Sequence, residues 1–168
     1  AVPGLASLSR MALPRRELAA AWQLGVAPGV GGGMIHSPTL LAPLVKHDRV
    51  HESDQTVVTL WDLDAWERPA ELARGAVTWH KAMLKRAEKY ADAIVVPSHT
   101  VADELMTIAA VGERIRVIGG APSSAIRIPA DADALATELE LPDRYVLAIG
   151  DIGARNGLDQ LVAALAAL

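Results

Sequence analysis

The sequence predicts an α/β fold in which a parallel β-sheet is flanked by helices. Short runs of β-branched and aliphatic residues alternate with longer segments in which apolar residues recur every three or four positions. Hydrophobic residues make up 51% of the 168 residues, but aromatic residues only 4%, and phenylalanine is absent. A core of Ala, Val and Leu suits parallel strands that are covered on both faces by Ala-rich helices.

The first predicted elements are one helix and two strands. The helix begins at Pro14, whose ring fits a first turn, and it ends at Gly25. A glycine-rich connection over 29–33 leads to a short strand at 34–36, and a second, buried strand follows at 56–60.

A long helix is predicted over 73–91, and its apolar residues recur at helical spacing. The buried stripe would comprise Ala76, Trp79, Met83, Ala87 and Tyr90.

Two further strands and a helix complete the first predicted domain. The strands are at 93–97 and 115–118, and the helix between them runs to about residue 110. Thr100 and Asp103 have the spacing of a capping box at its start.

The chain is predicted to contain two domains. Residues 1–120 form the first, 121–130 form a linker that contains Pro and Ser, and 131–168 begin the second. In the second domain Asp131 would cap a short helix. A strand at 145–149 and a helix from Leu158 would then form a βα unit.

Charge and composition exclude several classes of protein. The net charge is −4, so the basic surface typical of nucleic-acid binding is absent. The chain has no cysteine, which excludes disulfides and thiolate metal sites. It has no run of about 18 apolar residues and no signal-peptide pattern, so we expect a cytoplasmic protein.

A local basic cluster lies in the long predicted helix and consists of Lys81, Lys85, Arg86 and Lys89. The interleaved Glu88 favours a solvated helix face. The alternative is a patch that contacts anionic lipid, which would bring the protein to the inner face of a membrane.

Polar residues follow three predicted strands at their carboxyl ends, where open parallel sheets bind ligands. His36 and Ser37 end the first strand, Trp61 and Asp62 follow the second, and Ser98 follows the third. The first pair could contact a polar substrate, Trp61 could stack on a sugar ring, and the carboxylate could bind sugar hydroxyls.

The same residues also have purely structural explanations. Ser37 would close a turn after its strand, and Asp62 would form an Asx-type turn. Ser98 or Thr100 would cap the following helix. The two carboxylates of Asp62 and Asp64, without a nearby histidine cluster, are too few ligands to predict a metal site.

A glycine-rich loop at 150–157 lies between the last predicted strand and the last helix. Gly150 and the glycines that follow it would let the backbone approach a ligand, and Arg155 offers a bidentate fork for phosphate. The helix N-terminus adds partial positive charge. We therefore predict a diphosphate cradle; the alternative is a glycine-rich turn that carries a surface arginine.

The common nucleotide-binding motifs are missing. The run at 29–33 lacks the third glycine of G-x-G-x-x-G and precedes a strand, and no P-loop motif occurs. A dehydrogenase or a P-loop enzyme is therefore disfavoured.

Taken in order, five segments resemble family 4 of the retaining glycosyltransferases, which have the two-domain GT-B fold. These segments are residues 36–44, 57–69, 79–105, 114–124 and 145–165, including HSPTLLAPL, VVTLWDLDAWERP and YVLAIGDIGARNGLDQLVAAL. The resemblance covers most of the chain from His36 onward and is of a bacterial type. It implies an acceptor-side, Rossmann-like domain at 1–120 and the first βα unit of a Rossmann-like donor domain at 131–168.

The resemblance also implies an activity. A hexose would pass from a nucleotide-sugar donor to a saccharide or lipid-linked acceptor with retention of configuration, and neither a metal ion nor another cofactor would be needed. Stabilisation of the departing diphosphate would do much of the work. By position, the residues at the donor diphosphate would be Gly150, Arg155 and Asn156. Those on the acceptor side would be His36, Ser37, Trp61 and Ser98, with Asp62 as the catalytic candidate.

Two departures from the family pattern support an alternative. Trp61 stands where the family has a histidine, and Asn156 stands where it has a lysine. The alternative is a catalytically weakened homologue that acts as a binding or partner module. A Rossmann-like binding domain unrelated to sugars is the third hypothesis.

The resemblance further implies sequence on both sides of this chain. The family's first strand would precede Ala1, and the rest of the donor domain would follow Leu168. Residues 1–168 alone are therefore expected to fold but to be inactive.

Overall fold

The computed structural model describes residues 4–26, 32–47, 54–124, 126–150 and 156–167. The chain divides into two compact units, Ala1–Gly120 and Ala121–Leu168. The assignment of these units to an acceptor-side domain and a donor domain stays a prediction.

The first unit is built on a four-stranded sheet in which every pair of neighbouring strands is parallel. Helices lie before and between the strands, so the predicted α/β class with a parallel sheet is confirmed. In chain order the elements are α1 (Arg15–Leu24), β1 (Met34–Ser37), β2 (Gln55–Thr59), α2 (Asp64–Glu67), a 3₁₀ turn (Pro69–Glu71), α3 (Arg74–Tyr90), β3 (Ala93–Val96), α4 (His99–Ile108), a second 3₁₀ turn (Gly112–Arg114) and β4 (Ile115–Val117).

Each strand pairs with the strand that follows it in the chain, giving the order β1-β2-β3-β4. Met34 lies opposite Gln55, and Val57 lies opposite Ala93. Because all four strands run the same way, their last residues lie along one side of the sheet, which we call the carboxyl edge. The opposite side is the amino edge.

The core of the first unit is aliphatic, as the composition predicts. The strands contribute Val58, Ile94 and Val96, and α3 contributes Met83, all with no exposed surface. Within the predicted stripe of α3, Met83 and Ala87 are buried, whereas the other three residues are only partly buried. Leu84 completes the buried face.

The ends of the helices show which local signals operate. Gly25 ends α1 with a left-handed φ of 82°, as predicted. At the start of α4 the cap is Ser98, whose hydroxyl accepts the Val101 N–H at 3.3 Å. Thr100 lies inside the helix, so the predicted capping box is wrong.

A buried ion pair joins three segments at the amino edge. His47 Nε2 lies 2.9 Å from Asp92 Oδ2, and each side chain is only 11% exposed. The same oxygen accepts the Thr56 N–H at 2.7 Å, and His47 Nδ1 lies 2.9 Å from the Val45 carbonyl oxygen. Both ring nitrogens of His47 face an acceptor oxygen, so the ring can donate one hydrogen bond when neutral and two when it is protonated.

The basic cluster on α3 does not share one face. Lys81, Lys85 and Lys89 are exposed, but Arg86 is only partly exposed and its guanidinium donates to the Leu44 carbonyl. Its Cζ also lies 5.1 Å from the centre of the Tyr90 ring. One step along a helix turns a side chain by about 100°, so Arg86 does not lie on the same face as the three lysines.

Within the described ranges no helix has the length and apolar character needed to cross a membrane.

The described residues of the second unit include two α-helices, α5 (Ala132–Glu138) and α6 (Leu158–Leu165). Asp131 is the N-cap residue of α5, as predicted, but its side chain makes no capping hydrogen bond to the described residues.

The strand predicted at 145–149 is not formed in the second unit. Among the described residues no strand pairs with this segment. Tyr145, Val146, Leu147 and Ile149 are 57–92% exposed. Its apolar pattern suits a strand, but a strand needs a neighbour to accept and donate its backbone hydrogen bonds.

Candidate functional site at the carboxyl edge

The candidate site begins where β1 and β2 end side by side. His36 is exposed on β1, and its Nε2 lies 2.9 Å from the Thr59 hydroxyl at the end of β2. Thr59 is 5% exposed, so the strand buries the base of this contact and leaves the imidazole at the surface. Parallel pairing of Ser37 with Val58 brings the two strand ends level and makes the contact possible.

Trp61 forms a second link between the same two strand ends. Its indole Nε1 donates to the Pro38 carbonyl at 2.8 Å, yet the side chain remains 54% exposed. The polar atom of the indole is therefore occupied, while much of the ring is accessible. A free aromatic face of this kind can pack against the apolar face of a flat or ring-shaped ligand.

Asp62 follows Trp61 and is also exposed. One carboxylate oxygen accepts the Asp64 N–H at 3.2 Å, which is the local turn expected of an Asx residue before a helix. Asp64 itself is buried at 7% exposure and pairs with Arg68 at 2.5 Å. Asp62 is thus the carboxylate that a ligand at this edge could reach.

Ser37 and Ser98 are used by the fold itself. The Ser37 hydroxyl donates to the Leu41 carbonyl at 2.8 Å, which closes the turn after β1. Ser98 caps α4. Both residues lie at the carboxyl edge as predicted, but their hydroxyls make the local bonds that the structural explanations anticipate.

We call His36, Thr59, Trp61 and Asp62 the edge cluster. The sequence singles out three of these residues but not Thr59, because a threonine at the end of a β-branched run resembles any other strand residue. Its only signal is position, since the last residue of a parallel strand lies at the edge where ligands bind. The cluster offers an imidazole, an indole face and a carboxylate.

A pair of acidic side chains lies between the end of α2 and α4, outside the edge cluster. Glu67 at the end of α2 lies near Glu104 on α4. Hydrogen bonding with Glu104, the loss of water around the carboxyl and the repulsion between the two carboxylates raise the pKa of Glu67. Arg68 beside it has a raised pKa because of its bond to Asp64. In the described part of the chain no three His, Asp or Glu side chains gather closely enough to hold a metal ion.

The predicted diphosphate loop is described only at its ends. Arg155 and residues 151–154 lie outside the described residues. Gly150 and Asn156 approach each other closely, since a Cβ placed on Gly150 would lie 3.3 Å from Asn156 Cγ. Gly157 takes a left-handed φ of 60° directly before α6. Two of the three residues predicted at the diphosphate are therefore neighbours in space.

No family model matches the chain, and no match is found among curated proteins or among solved structures.

Proposed function

We propose that this chain belongs to a retaining glycosyltransferase that moves a hexose from a nucleotide-sugar donor to a saccharide or lipid-linked acceptor. The observation that supports the proposal most directly is the exposed edge cluster at the carboxyl ends of two neighbouring parallel strands. The five segments that resemble the family supply these residues in their expected order.

The edge cluster suits an acceptor that carries hydroxyl groups. Nε2 of His36 hydrogen bonds with the Thr59 hydroxyl. Nδ1 of the same ring makes no hydrogen bond to the described residues and is therefore available to bind a ligand. The exposed part of the Trp61 ring can pack against a sugar ring. The second oxygen of Asp62 can accept a hydroxyl hydrogen bond while the first holds its turn.

In this proposal the second unit binds the donor. Gly150 and Asn156 would contact the diphosphate together with Arg155. The charge that develops on the departing diphosphate would be stabilised by the arginine and by backbone N–H groups of the glycine loop. A donor phosphate oxygen would help to deprotonate the acceptor hydroxyl, and no metal ion is assigned to this step.

The test is transfer by the full-length protein, because the proposal expects further donor-domain sequence. Release of nucleoside diphosphate is measured with GDP-, UDP- and dTDP-sugars. We expect one donor class to be turned over. Asp62→Asn should lower turnover by about tenfold or more, because the amide NH2 that replaces the second carboxylate oxygen cannot accept a hydrogen bond from the ligand hydroxyl. The asparagine oxygen can still accept the Asp64 N–H, so this variant keeps the turn.

Asp103→Asn is the matched control, since Asp103 is exposed on α4 outside the edge cluster. It should leave turnover unchanged. Absence of turnover with every donor would overturn the proposal, as would equal losses in the two variants.

A second candidate function is a binding or partner module with weakened catalysis. It is favoured by the bond from Trp61 to Pro38, which fixes an indole where the family has a histidine. An indole has no nitrogen that titrates near neutral pH. If this candidate is right, Trp61→His combined with Asn156→Lys should raise donor turnover. No gain in that double variant would count against it.

A further inference from the structure

A cavity of about 400 Å³ lies within the first unit, apart from the edge cluster. It is formed by the first turns of α1, the turn after β1 and the first half of α3. Its lining residues are Arg15, Arg16, Ala19, Thr39, Leu40, Leu41, Ala76, Trp79 and His80. A volume of this size falls within the range of small-molecule pockets.

The polar lining of the cavity carries one sign of charge. Arg15 and Arg16 are exposed, and neither makes a hydrogen bond or an ion pair with the described residues. No acidic residue is among the described residues that line the cavity. Both arginines lie in the first turn of α1, where the helix dipole is positive, so their charges add to that positive potential. An anionic ligand would be attracted to this side of the cavity.

Two helices begin beside this cavity. Pro14 precedes α1 and Ala73 precedes α3, and among the described residues no side chain makes a capping bond to either helix. The helix starts therefore add positive potential on the same side as the two arginines.

The floor of the cavity is apolar and aromatic. Leu40 is buried, and Leu41, Ala76 and Trp79 are partly buried. Trp79 Nε1 is inaccessible and has no hydrogen-bond partner in the part of the chain that the structure describes, so a ligand would contact carbon atoms of the indole ring. The Trp79 and His80 rings pack edge to face with centres 5.0 Å apart, which holds this wall in place.

His80 gives the cavity a polar group with a defined orientation. Its Nδ1 lies 2.8 Å from the Ala76 carbonyl oxygen, so that nitrogen carries a proton and donates. Nε2 is then the nitrogen left for a ligand hydroxyl or, when protonated, for an anionic oxygen.

We propose that this cavity binds a small organic anion, with a phosphate or carboxylate head on Arg15 and Arg16 and an apolar ring against Trp79 and Leu41. The guanidinium groups match the paired oxygens of such a head. The inference does not rest on the proposed sugar transfer, because it concerns binding to the cavity alone.

The test is calorimetric titration of the 168-residue chain with phenyl phosphate, phenylacetate, benzyl alcohol and inorganic phosphate. We expect at least one of the two aromatic anions to bind with a Kd below about 1 mM. The better of the two identifies the head group. Benzyl alcohol and inorganic phosphate should each bind at least about tenfold more weakly, because each lacks one half of the ligand.

Two variants locate the binding. Arg15→Gln with Arg16→Gln should weaken the better anion by about tenfold or more. Ala19→Met should do the same by filling the cavity without changing its charge. Lys81→Gln with Lys85→Gln removes the same charge from the exposed stripe of α3 and should change Kd by less than about twofold.

Several outcomes would overturn the proposal. These are no binding by either aromatic anion, equal binding by benzyl alcohol or inorganic phosphate, and an equal loss in the lysine control. Unchanged binding in Ala19→Met would also overturn it. Thermal unfolding of each variant checks that the fold is retained. Failure of this proposal can be distinguished from failure of the proposed sugar transfer, because the absence of donor turnover would leave these titrations unaffected.

Discussion

Replacing Asp92 by Ala would remove one carboxylate from three segments at the amino edge of the sheet. Asp92 Oδ2 accepts the Thr56 N–H at 2.7 Å and the His47 Nε2–H at 2.9 Å. Without it, a backbone N–H of β2 and Nε2 of His47 lose the oxygen they share, in a region where each side chain of the ion pair is only 11% exposed.

The size of the effect follows from these contacts. An unsatisfied buried N–H costs about 1–3 kcal/mol. Breaking a buried ion pair by removing one partner costs about 3–5 kcal/mol. The two costs overlap because one oxygen serves both contacts. Asp92 Oδ1 already lacks a partner among the described residues, so the native carboxylate carries a penalty that the variant loses. We therefore expect a net loss of about 3 kcal/mol, a large part of the typical 5–15 kcal/mol.

The assay is urea unfolding followed by far-UV circular dichroism, with the midpoint and the slope fitted separately. Asp103→Ala, on the exposed side of α4, is the control and should change the free energy of unfolding by less than about 0.5 kcal/mol. Asp92→Asn should fall between them, because its oxygen can still accept both N–H groups but the charge is gone.

The reasoning would be refuted if Asp92→Ala cost no more than the control. A double-mutant cycle with His47→Ala separates the ion pair from the Thr56 bond. A coupling energy near zero would show that the pair contributes no net stability.

Two further predictions concern a helix cap and an acidic pair. Gly25→Ala should lower the free energy of unfolding by about 1–2 kcal/mol, because φ is 82° and the new Cβ would lie 2.7 Å from the Arg86 guanidinium. The same change at Gly75, inside α3 with open space around it, should raise it by about 0.5 kcal/mol, and equal signs in urea unfolding would contradict the argument. The raised pKa of Glu67 means that the folded state gains stability as the pH falls through that pKa and loses it as the pH rises again. Glu67→Gln should therefore have a higher Tm than the native protein at pH 7, and the difference should shrink towards pH 4; a difference that is constant with pH would reject the Glu104 contact as its cause.

Local patterns were enough to place the four strands and the three longer helices of the first unit, but not the short helix α2 or the two 3₁₀ turns. The β-branched run before Trp61 and the helical spacing between Trp79 and Tyr90 depend on near neighbours, and the structure has β2 and α3 there. The start of α4 was less certain from sequence, because Ser98 and Thr100 are both good caps. The choice depends on where β3 ends, which a local pattern does not reveal.

Features that join distant segments could not be predicted. His47 and Asp92 lie 45 residues apart, and nothing in either neighbourhood signals their contact. In the sequence Arg86 is indistinguishable from the neighbouring lysines. In the structure its guanidinium donates to the Leu44 carbonyl, which lies on another face of α3. The segment 145–149 shows the converse, since its pattern is correct for a strand but no described strand pairs with it.

The candidate site was predictable to the extent that it depends on topology. A parallel sheet places its carboxyl ends together, so His36, Trp61 and Asp62 could be chosen from sequence as edge residues. Which groups are free to meet a ligand depends on side-chain bonds, such as the indole bond to Pro38. The cavity beside Arg15 was not foreseen, because it arises where α1, α3 and the turn after β1 meet.

The order of strands in the sheet also bears on how the protein folds during synthesis. β2 pairs with β1, β3 with β2 and β4 with β3, so each strand finds its partner already present upstream. Each closure spans one intervening connection, and the entropy cost of such loops grows only slowly with their length. The growing sheet can therefore add one strand at a time as the chain leaves the ribosome. Until β4 arrives, the outer side of β3 is an edge that is open to pairing with other chains.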